Sequence, residues 1–136
     1  MQRSKPPRNV NPAELGPAKG FSHATVAGDT VWTGGQIGAD ANGNVPEPGD
    51  IVAQFVRAIH NISVALSAAG SSPSDTVKLT YYVTDLNAYK DNLRAIGSAY
   101  REVFGHHYPA TTLVEVRSLF HPDALVEIEA VAVSRP

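Results

Sequence analysis

The spacing of apolar residues switches along the chain between the helical period and the strand period. Of all the features of the sequence, this switch limits the possible folds most. Ile51, Phe55, Ile59, Ile62 and Leu66 recur every three to four residues, as the buried face of a helix does. Residues 76–84 instead alternate apolar and polar side chains, which is typical of a strand. Helical spacing returns in residues 89–104. Such a chain packs helices against a sheet.

Turn and cap residues predict the remaining boundaries. The pair Gly28-Asp29 predicts a hairpin between residues 22–27 and 30–37, because both residues tolerate a hairpin turn. The last two strands are predicted at residues 111–118 and 124–133, with a turn at His121-Pro122.

The helices are bounded by capping residues. Asp50 and Asn87 are the predicted N-caps, and Gly70 and Gly105 are the predicted ends. The predicted order is therefore β-β-α-β-α-β-β, an α+β fold with a mixed sheet and two helices on one face. The other face is predicted to be apolar and to be covered by self-association into a closed oligomer.

The 136 residues suit a single domain. Residues 1–20 contain four prolines, which disfavour regular helix, and they are predicted to form an extended N-terminal arm. Residues 21–136 are predicted to form the domain.

Composition excludes several function classes. The formal net charge is −2, which does not suit a phosphate backbone, so no nucleic acid is expected. The chain has no cysteine, so it has no disulfide framework, thiolate nucleophile or cysteine-built zinc site. Neither a secretory signal nor a continuous apolar run of about 18 residues is found. These features predict a cytoplasmic protein that binds a small-molecule metabolite, with no membrane partner.

Five histidines are candidates for chemistry, and most are expected to be structural or exposed. His60 and His121 are predicted surface residues. His106 and His107 lie together in a loop and are candidate acid/base groups, but no Asp, Glu or Cys stands beside them at ligand spacing. No metal and no other cofactor is therefore expected.

Two further features allow two interpretations each. Gly34-Gly35 lie in a predicted strand, where paired glycines indicate either a bulge or a place at which a ligand meets bare backbone. Glu127 and Glu129 share one face of the last strand, roughly 7 Å apart at about 3.3 Å per residue. They are either a solvated strand face or a source of a general base that holds a water molecule.

Several short motifs, taken in order, resemble the RidA/YjgF family of imine and enamine deaminases. They are Phe21-Ser22, GGQIG at 34–38, Gln54, AAG at 68–70, VTDLNAY at 83–89, YPATTLVEV at 108–116 and LVEIEAVAV at 125–133. The resemblance implies a chorismate-mutase-like fold and a homotrimer with clefts between subunits. It also implies cofactor-free hydrolysis of 2-imino acids or their enamine tautomers to 2-oxo acids and ammonia.

The resemblance also implies site residues, and this chain departs from the family pattern at several of them. Glu127 matches the glutamate that holds the attacking water. Thr111 stands where the family has the arginine that binds the substrate carboxylate, so the chain resembles an arginine-lacking branch. Phe21 replaces a tyrosine, Gly34 replaces a serine and Gly97 replaces an asparagine. Gly35 and Gln36 complete the predicted substrate-binding segment.

Three functions follow from these residues. The first is hydrolysis of a small imine or enamine by a water molecule held by Glu127, weak on 2-imino acids because of Thr111. The second is a non-catalytic trimer that binds a small metabolite or a partner protein. The third, RNA cleavage, is disfavoured by the −2 charge and by the absence of a basic cluster.

Overall fold

The computed structural model describes residues 5–135, and it contains a seven-stranded mixed sheet. The strands are β1 (Arg8–Val10), β2 (Ala24–Ala27), β3 (Thr30–Thr33), β4 (Gln36–Ile37), β5 (Thr76–Val83), β6 (Ala110–Glu115) and β7 (Val126–Val133). The helices are α1 (Ile51–Ala68), α2 (Leu86–Asp91) and α3 (Leu93–Phe104). The α+β class and the mixed sheet are confirmed.

Strand β7 organises the sheet. The strand order is β1-β2-β3-β7-β5-β6, and β4 also pairs with β7. Strands β5 and β6 are parallel, whereas the other pairs are antiparallel. Alternate residues of β7 are buried, so one face of this strand lies in the core and the other faces away from it.

Helices α1 and α3 cover the core face of the sheet. Phe55, Ile59, Ile62 and Leu66 of α1 are fully buried, as the helical spacing predicted. Asp50 caps α1 by accepting a hydrogen bond from the Ala53 amide at 3.0 Å, also as predicted. Among residues 5–135, α1 is the one helix with the length and apolarity of a membrane span, but its buried residues here form part of the protein core.

The predicted second helix is two helices, and its predicted cap was wrong. Asp85, not Asn87, is the N-cap, because its carboxylate accepts a hydrogen bond from the Ala88 amide at 3.0 Å. The helix is interrupted at Asn92, whose backbone has φ −123°, and α3 begins at the next residue. The apolar stripe continues across this break, so side-chain spacing alone does not reveal it.

The described part of the N-terminal arm, residues 5–20, extends the sheet. Strand β1 pairs with β2 in the register Arg8–Val26, and Leu15 in the following 3-10 turn is buried. Residues 1–4 of the predicted arm and residue 136 of the predicted domain lie outside the described residues.

Strand boundaries differ from the prediction where the chain bends. The strand predicted at residues 30–37 is broken at Gly34-Gly35, which separates β3 from β4. The last two strands are shorter than predicted, ending at Glu115 and beginning at Val126. The alternation in residues 76–84 predicts Val77 on the core face together with Leu79, but a register shift between Thr76 and Lys78 turns Val77 outward, so that Thr76 is buried instead.

The sheet face opposite the helices has a mixed composition rather than the predicted apolar one. It carries Trp32, Val114 and Val131 among polar and charged side chains, namely Thr25, Lys78, Thr80, Tyr82, Thr112, Glu127 and Glu129. Trp32 and Val131 are direct partners across β3 and β7, but polar residues of β5 and β7 separate them from Val114, so this face does not form one continuous apolar patch. Its burial by further copies of the chain stays a prediction.

Candidate functional site

The largest cleft in residues 5–135 surrounds the break between β3 and β4, and it is called the glutamate cleft below. Its volume is about 670 Å³. The lining residues come from the N-terminal segment, the β3–β4 break and the loop before β7; they include Lys19, Phe21, Ser22, His23, Gly34, Gly35, Gln36, Asp40, Phe120, His121 and Glu127. Five predicted site residues, Phe21, Gly34, Gly35, Gln36 and Glu127, thus meet in one place.

The glycine pair Gly34-Gly35 has features of both interpretations, since it interrupts the strand and also borders a cleft. The Ala130 amide, which would otherwise pair with this segment, donates to the Thr33 hydroxyl at 2.9 Å, so the glycines form an irregularity in the strand. The same glycines line the cleft, where they expose backbone. A β-carbon at Gly34 would lie 2.6 Å from the Ser22 carbonyl oxygen, so the segment passes too close for a side chain.

Gly35 positions Glu127. A β-carbon at Gly35 would overlap the Glu127 carboxyl group, lying 2.6 Å from its Cδ atom. The carboxyl group therefore rests directly against the Gly35 backbone, in a space that only glycine leaves open. Glu127 lies opposite Ile37 on β4 and opposite Tyr82 on β5, so neighbouring strands on both sides hold its backbone.

The surroundings of Glu127 suit a base. Burial raises the pKa of the Glu127 carboxyl above its ordinary value, and the nearby Glu129 carboxylate adds to the increase. Within residues 5–135, no donor group is hydrogen-bonded to the Glu127 side chain, which leaves its oxygens available to a water molecule or ligand. Glu129 does not line the cleft. Of the two glutamates, only Glu127 is therefore placed for chemistry there.

A buried hydrogen-bonded chain supports the floor of the cleft. His23 Nδ1 lies 3.1 Å from Gln36 Nε2, and His23 Nε2 lies 3.1 Å from the Gly16 carbonyl oxygen. Because Gly16 can only accept, we assign the proton to Nε2 and let Nδ1 accept from Gln36. This histidine fixes the orientation of Gln36. The sequence prediction missed His23, although its position directly after the Phe21-Ser22 motif was a signal.

Gln54 holds the loop that closes one side of the cleft. This fully buried side chain donates to the carbonyl oxygens of Glu47 and Asp123, each at 3.0 Å. It also accepts from the Leu125 amide at 2.8 Å. Helix α1 thereby holds the chain just before β7, where Phe120 and His121 line the cleft. The presence of Gln54 among the family-like motifs is thus explained by its hydrogen bonds to this loop.

The other two predicted binding residues, Gly97 and Thr111, lie in a second pocket, called the aromatic pocket below. Its volume is about 240 Å³. The pocket is lined by Phe55, Tyr81, Tyr89, Leu93, Ile96, Gly97, Tyr100, Arg101, Tyr108 and Thr111. The rings of Tyr100 and Tyr108 are stacked with centroids 5.5 Å apart, so one wall is aromatic.

The glutamate cleft and the aromatic pocket are separate within one chain. Thr111 lies opposite Leu79 on β5, a fully buried residue of the core face. Glu127 lies opposite Tyr82, three residues further along β5 and on the other face. A single chain therefore does not bring Thr111 to Glu127, and their meeting in a cleft between subunits stays a prediction.

His106 and His107 line neither the glutamate cleft nor the aromatic pocket. His107 Nε2 lies 2.7 Å from the Thr76 carbonyl oxygen, at the opposite end of β5 from the residue that faces Glu127. Thr76 and Tyr82 are six residues apart, or about 20 Å along a strand. Within one chain, these histidines are too far from Glu127 to serve it as acid or base. In residues 5–135, no three His, Asp or Glu side chains cluster as metal ligands.

Known proteins resemble this chain over nearly its whole length. The family model described as Endoribonuclease L-PSP matches residues 11–134. A RutC family protein of Pyrococcus abyssi is 38% identical over 121 residues, which cover 89% of each chain. The 2-iminobutanoate/2-iminopropanoate deaminase of Escherichia coli is 34% identical over 128 residues, which cover 91% of this chain and 92% of the relative.

Solved structures have the same fold. The YjgF protein of E. coli superimposes with a TM-score of 0.80 at 32% identity, over 94% of this chain and 99% of the other. E. coli TdcF, solved with bound serine, gives a TM-score of 0.80 at 29% identity over the same shares. The fold is thus that of the YjgF proteins. The chain belongs to the Endoribonuclease L-PSP family, which includes the RidA/YjgF proteins.

Proposed function

We propose that this protein hydrolyses a small imine or its enamine tautomer to a carbonyl compound and ammonia, without a cofactor. The observation that carries the proposal is the placement of Glu127: a half-buried carboxylate with a raised pKa and free oxygens, held against bare backbone in the largest cleft. The naming of relatives as 2-iminobutanoate/2-iminopropanoate deaminases supports the reaction class.

The proposed reaction needs one water molecule and one base. Glu127 accepts a proton from the water as the oxygen attacks the imine carbon, and it passes this proton to the nitrogen to give a carbinolamine. Glu127 then accepts the proton of the carbinolamine hydroxyl group and passes it to the nitrogen, so that ammonia leaves, the carbonyl group forms and the carboxylate is regenerated. A raised pKa makes the carboxylate a better proton acceptor at neutral pH, as general-base catalysis requires.

We propose that the complete site forms between subunits of a homotrimer. The glutamate cleft holds one set of predicted site residues and the aromatic pocket holds the other, and these two half-sites can meet only if they come from different chains. Sedimentation equilibrium should therefore give a mass near 43 kDa, three times the 14.4 kDa of the chain. A mass of 14.4 kDa across the micromolar range would contradict the trimer and, with it, the shared site.

Thr111 should make the protein a poor catalyst for 2-iminobutanoate. Its hydroxyl is short and uncharged, and here it donates to the Pro109 carbonyl oxygen at 2.9 Å. A charge-assisted arginine contact is worth about 1.5–3 kcal/mol, so its loss weakens carboxylate binding roughly ten- to a hundredfold. Thr111→Arg should accordingly raise 2-iminobutanoate turnover in a coupled oxidase assay. The gain should be partial, since Phe21, Gly34 and Gly97 also depart from the family pattern.

The double variant Thr111→Arg, Glu127→Gln provides the control. It should lose the gain, because the glutamine amide cannot take a proton from water. A folded, trimeric Thr111→Arg protein with no measurable turnover would favour the non-catalytic binding function or an unrelated substrate. Wild-type turnover equal to that of an arginine-bearing relative would show that Thr111 is no handicap.

A non-catalytic trimer that binds a small metabolite is the second candidate function. The specific observation in its favour is Phe21, which lines the glutamate cleft without a hydroxyl group. Its ring packs edge-on against His23 with centroids 5.3 Å apart and can only contribute apolar contact. TdcF is a relative whose structure holds serine, which supports a small-metabolite ligand in either case. Turnover that depends on Glu127 distinguishes the two functions.

A further inference from the structure

The aromatic pocket contains one cation in the described part of the chain, Arg101 of α3. A β-carbon built on Gly97 would lie 3.3 Å from an Nη atom of Arg101. The guanidinium group therefore extends back one helical turn and lies over Gly97, in the direction that long side chains take on a helix. Within residues 5–135, Arg101 forms no ion pair, so its charge is available to a ligand.

Gly97 and Arg101 form a structural pair. A β-carbon at position 97 would already lie 3.3 Å from the guanidinium, so a larger side chain would crowd it, whereas glycine leaves that space open. Thr111 lines the same pocket from the β6 side, and its small side chain leaves the pocket open there. The pocket therefore has room for a ligand and a positive group at its edge.

We propose that Arg101 is the anion-binding residue of the aromatic pocket, which takes the carboxylate of a small, largely apolar or aromatic monocarboxylic acid. A guanidinium beside an apolar wall binds a carboxylate through charge-assisted hydrogen bonds. Tyr100, Tyr108 and Leu93 offer apolar surface for the rest of the ligand. Among the described residues, no carboxylate side chain lines the pocket, so a ligand anion meets no repulsion from them.

This inference deepens the proposed function. It rests on the proposed function in one respect, namely that the aromatic pocket forms part of the catalytic site. In this proposal, Arg101 of helix α3 supplies the positive charge that the family arginine supplies at the position of Thr111. The carboxylate is then held at a different point of the pocket, and a shift of about 1 Å can cost a hundredfold in rate. The preferred substrate is therefore a 2-imino acid with a bulky apolar side chain rather than 2-iminobutanoate.

The binding test uses 3-phenylpropanoate and its neutral amide, 3-phenylpropanamide, as matched probes that cannot react. Titration of the intact trimer, followed by calorimetry and by amide NMR shifts, should show the acid binding at least tenfold more tightly than the amide. The largest shifts should fall at Gly97, Arg101 and Thr111. Arg101→Gln should weaken the acid ten- to a hundredfold and leave the amide unchanged.

Three further variants distinguish Arg101 from other cations. Arg94→Gln removes an exposed arginine of the same helix that does not line the pocket, and it should leave binding unchanged. Lys19→Gln removes a cation that lines the glutamate cleft, and it should weaken acid binding far less than Arg101→Gln does. Gly97→Asn should weaken the acid because its side chain displaces the guanidinium from the pocket.

Four results would each overturn the proposal: equal binding of acid and amide, undiminished acid binding by Arg101→Gln, dependence on Lys19 instead, or no acid binding at millimolar concentration. The catalytic proposal fails separately. Arg101-dependent binding without turnover of any imine would remove only the catalytic role. Glu127-dependent turnover, together with acid binding that is insensitive to Arg101, would remove only the proposed role of Arg101.

Discussion

Replacing Glu127 with glutamine should lower imine turnover by about two to four orders of magnitude, the usual contribution of a general base. The amide has nearly the same size and fits the same space against Gly35, so the cleft and the fold should be retained. The substrates are 2-imino acids released from leucine and phenylalanine by an amino-acid oxidase, and the measured quantity is the rate of 2-oxo acid formation. Residual turnover within threefold of the wild type would exclude Glu127 as the base.

Glu129→Gln is the matched control for this variant. Glu129 lies on the same face of β7 but outside the glutamate cleft, so its replacement should leave turnover within a few-fold. The Glu129 carboxylate contributes to the raised pKa of Glu127. Turnover requires the deprotonated base, so it should fall as the pH drops through the Glu127 pKa, which lies above that of an exposed glutamate. Glu129→Gln should move this acidic limb to lower pH.

Gly38→Ala should destabilise the protein by about 3 kcal/mol, because the added methyl group has no space. Its β-carbon would lie 2.8 Å from Gln54 Cα and 2.9 Å from the Gln54 carbonyl oxygen. These are backbone atoms of α1, so the helix as a whole would have to move away from the sheet. Overpacking of this kind typically costs about 1–3 kcal/mol and occasionally more. The midpoint of urea unfolding, measured at one protein concentration, should fall clearly.

Gly97→Ala is the control, and its expected effect has the opposite sign. Gly97 lies inside α3, where alanine is favoured over glycine by about 0.5–1 kcal/mol. The only described neighbour within reach of the new methyl group is the Arg101 guanidinium, a flexible group that can shift. An unchanged midpoint for Gly38→Ala, or a similar loss for both variants, would show that the contact with α1 is not responsible.

The fold could be predicted to a large extent because its signals are local. Apolar residues at helical spacing in α1 all became buried, and Asp50 capped that helix as its side chain chemistry requires. The errors occurred where a local pattern competes with tertiary geometry. In the sequence, Val77 continues the alternation of apolar residues in β5, but the bulge beside it reverses the direction of its side chain. Asn87 is as good a cap by residue type as Asp85, and only the helix geometry distinguishes them.

The candidate site was predicted less completely. Family-like motifs identified Gly34, Gly35, Gln36 and Glu127, which the structure gathers in one cleft. His23 was missed because a buried histidine and an exposed one look alike in sequence. Arg101 was missed for a related reason, since it lies ten residues before Thr111 and on a helix, where no strand pattern links the two.

From the sequence alone we could predict the class of fold, helix α1, most strands, the family and the departures of this chain from the family pattern. These properties follow from residue identity and short-range spacing, which are visible in the chain. The three-dimensional structure was needed to show that Gly35 makes room for the Glu127 carboxyl, that the Arg101 guanidinium lies over Gly97, and that Thr111 and Glu127 lie on opposite faces of the sheet. Such contacts join residues distant in sequence, and they depend on the register of strands and the packing of helices rather than on any local pattern.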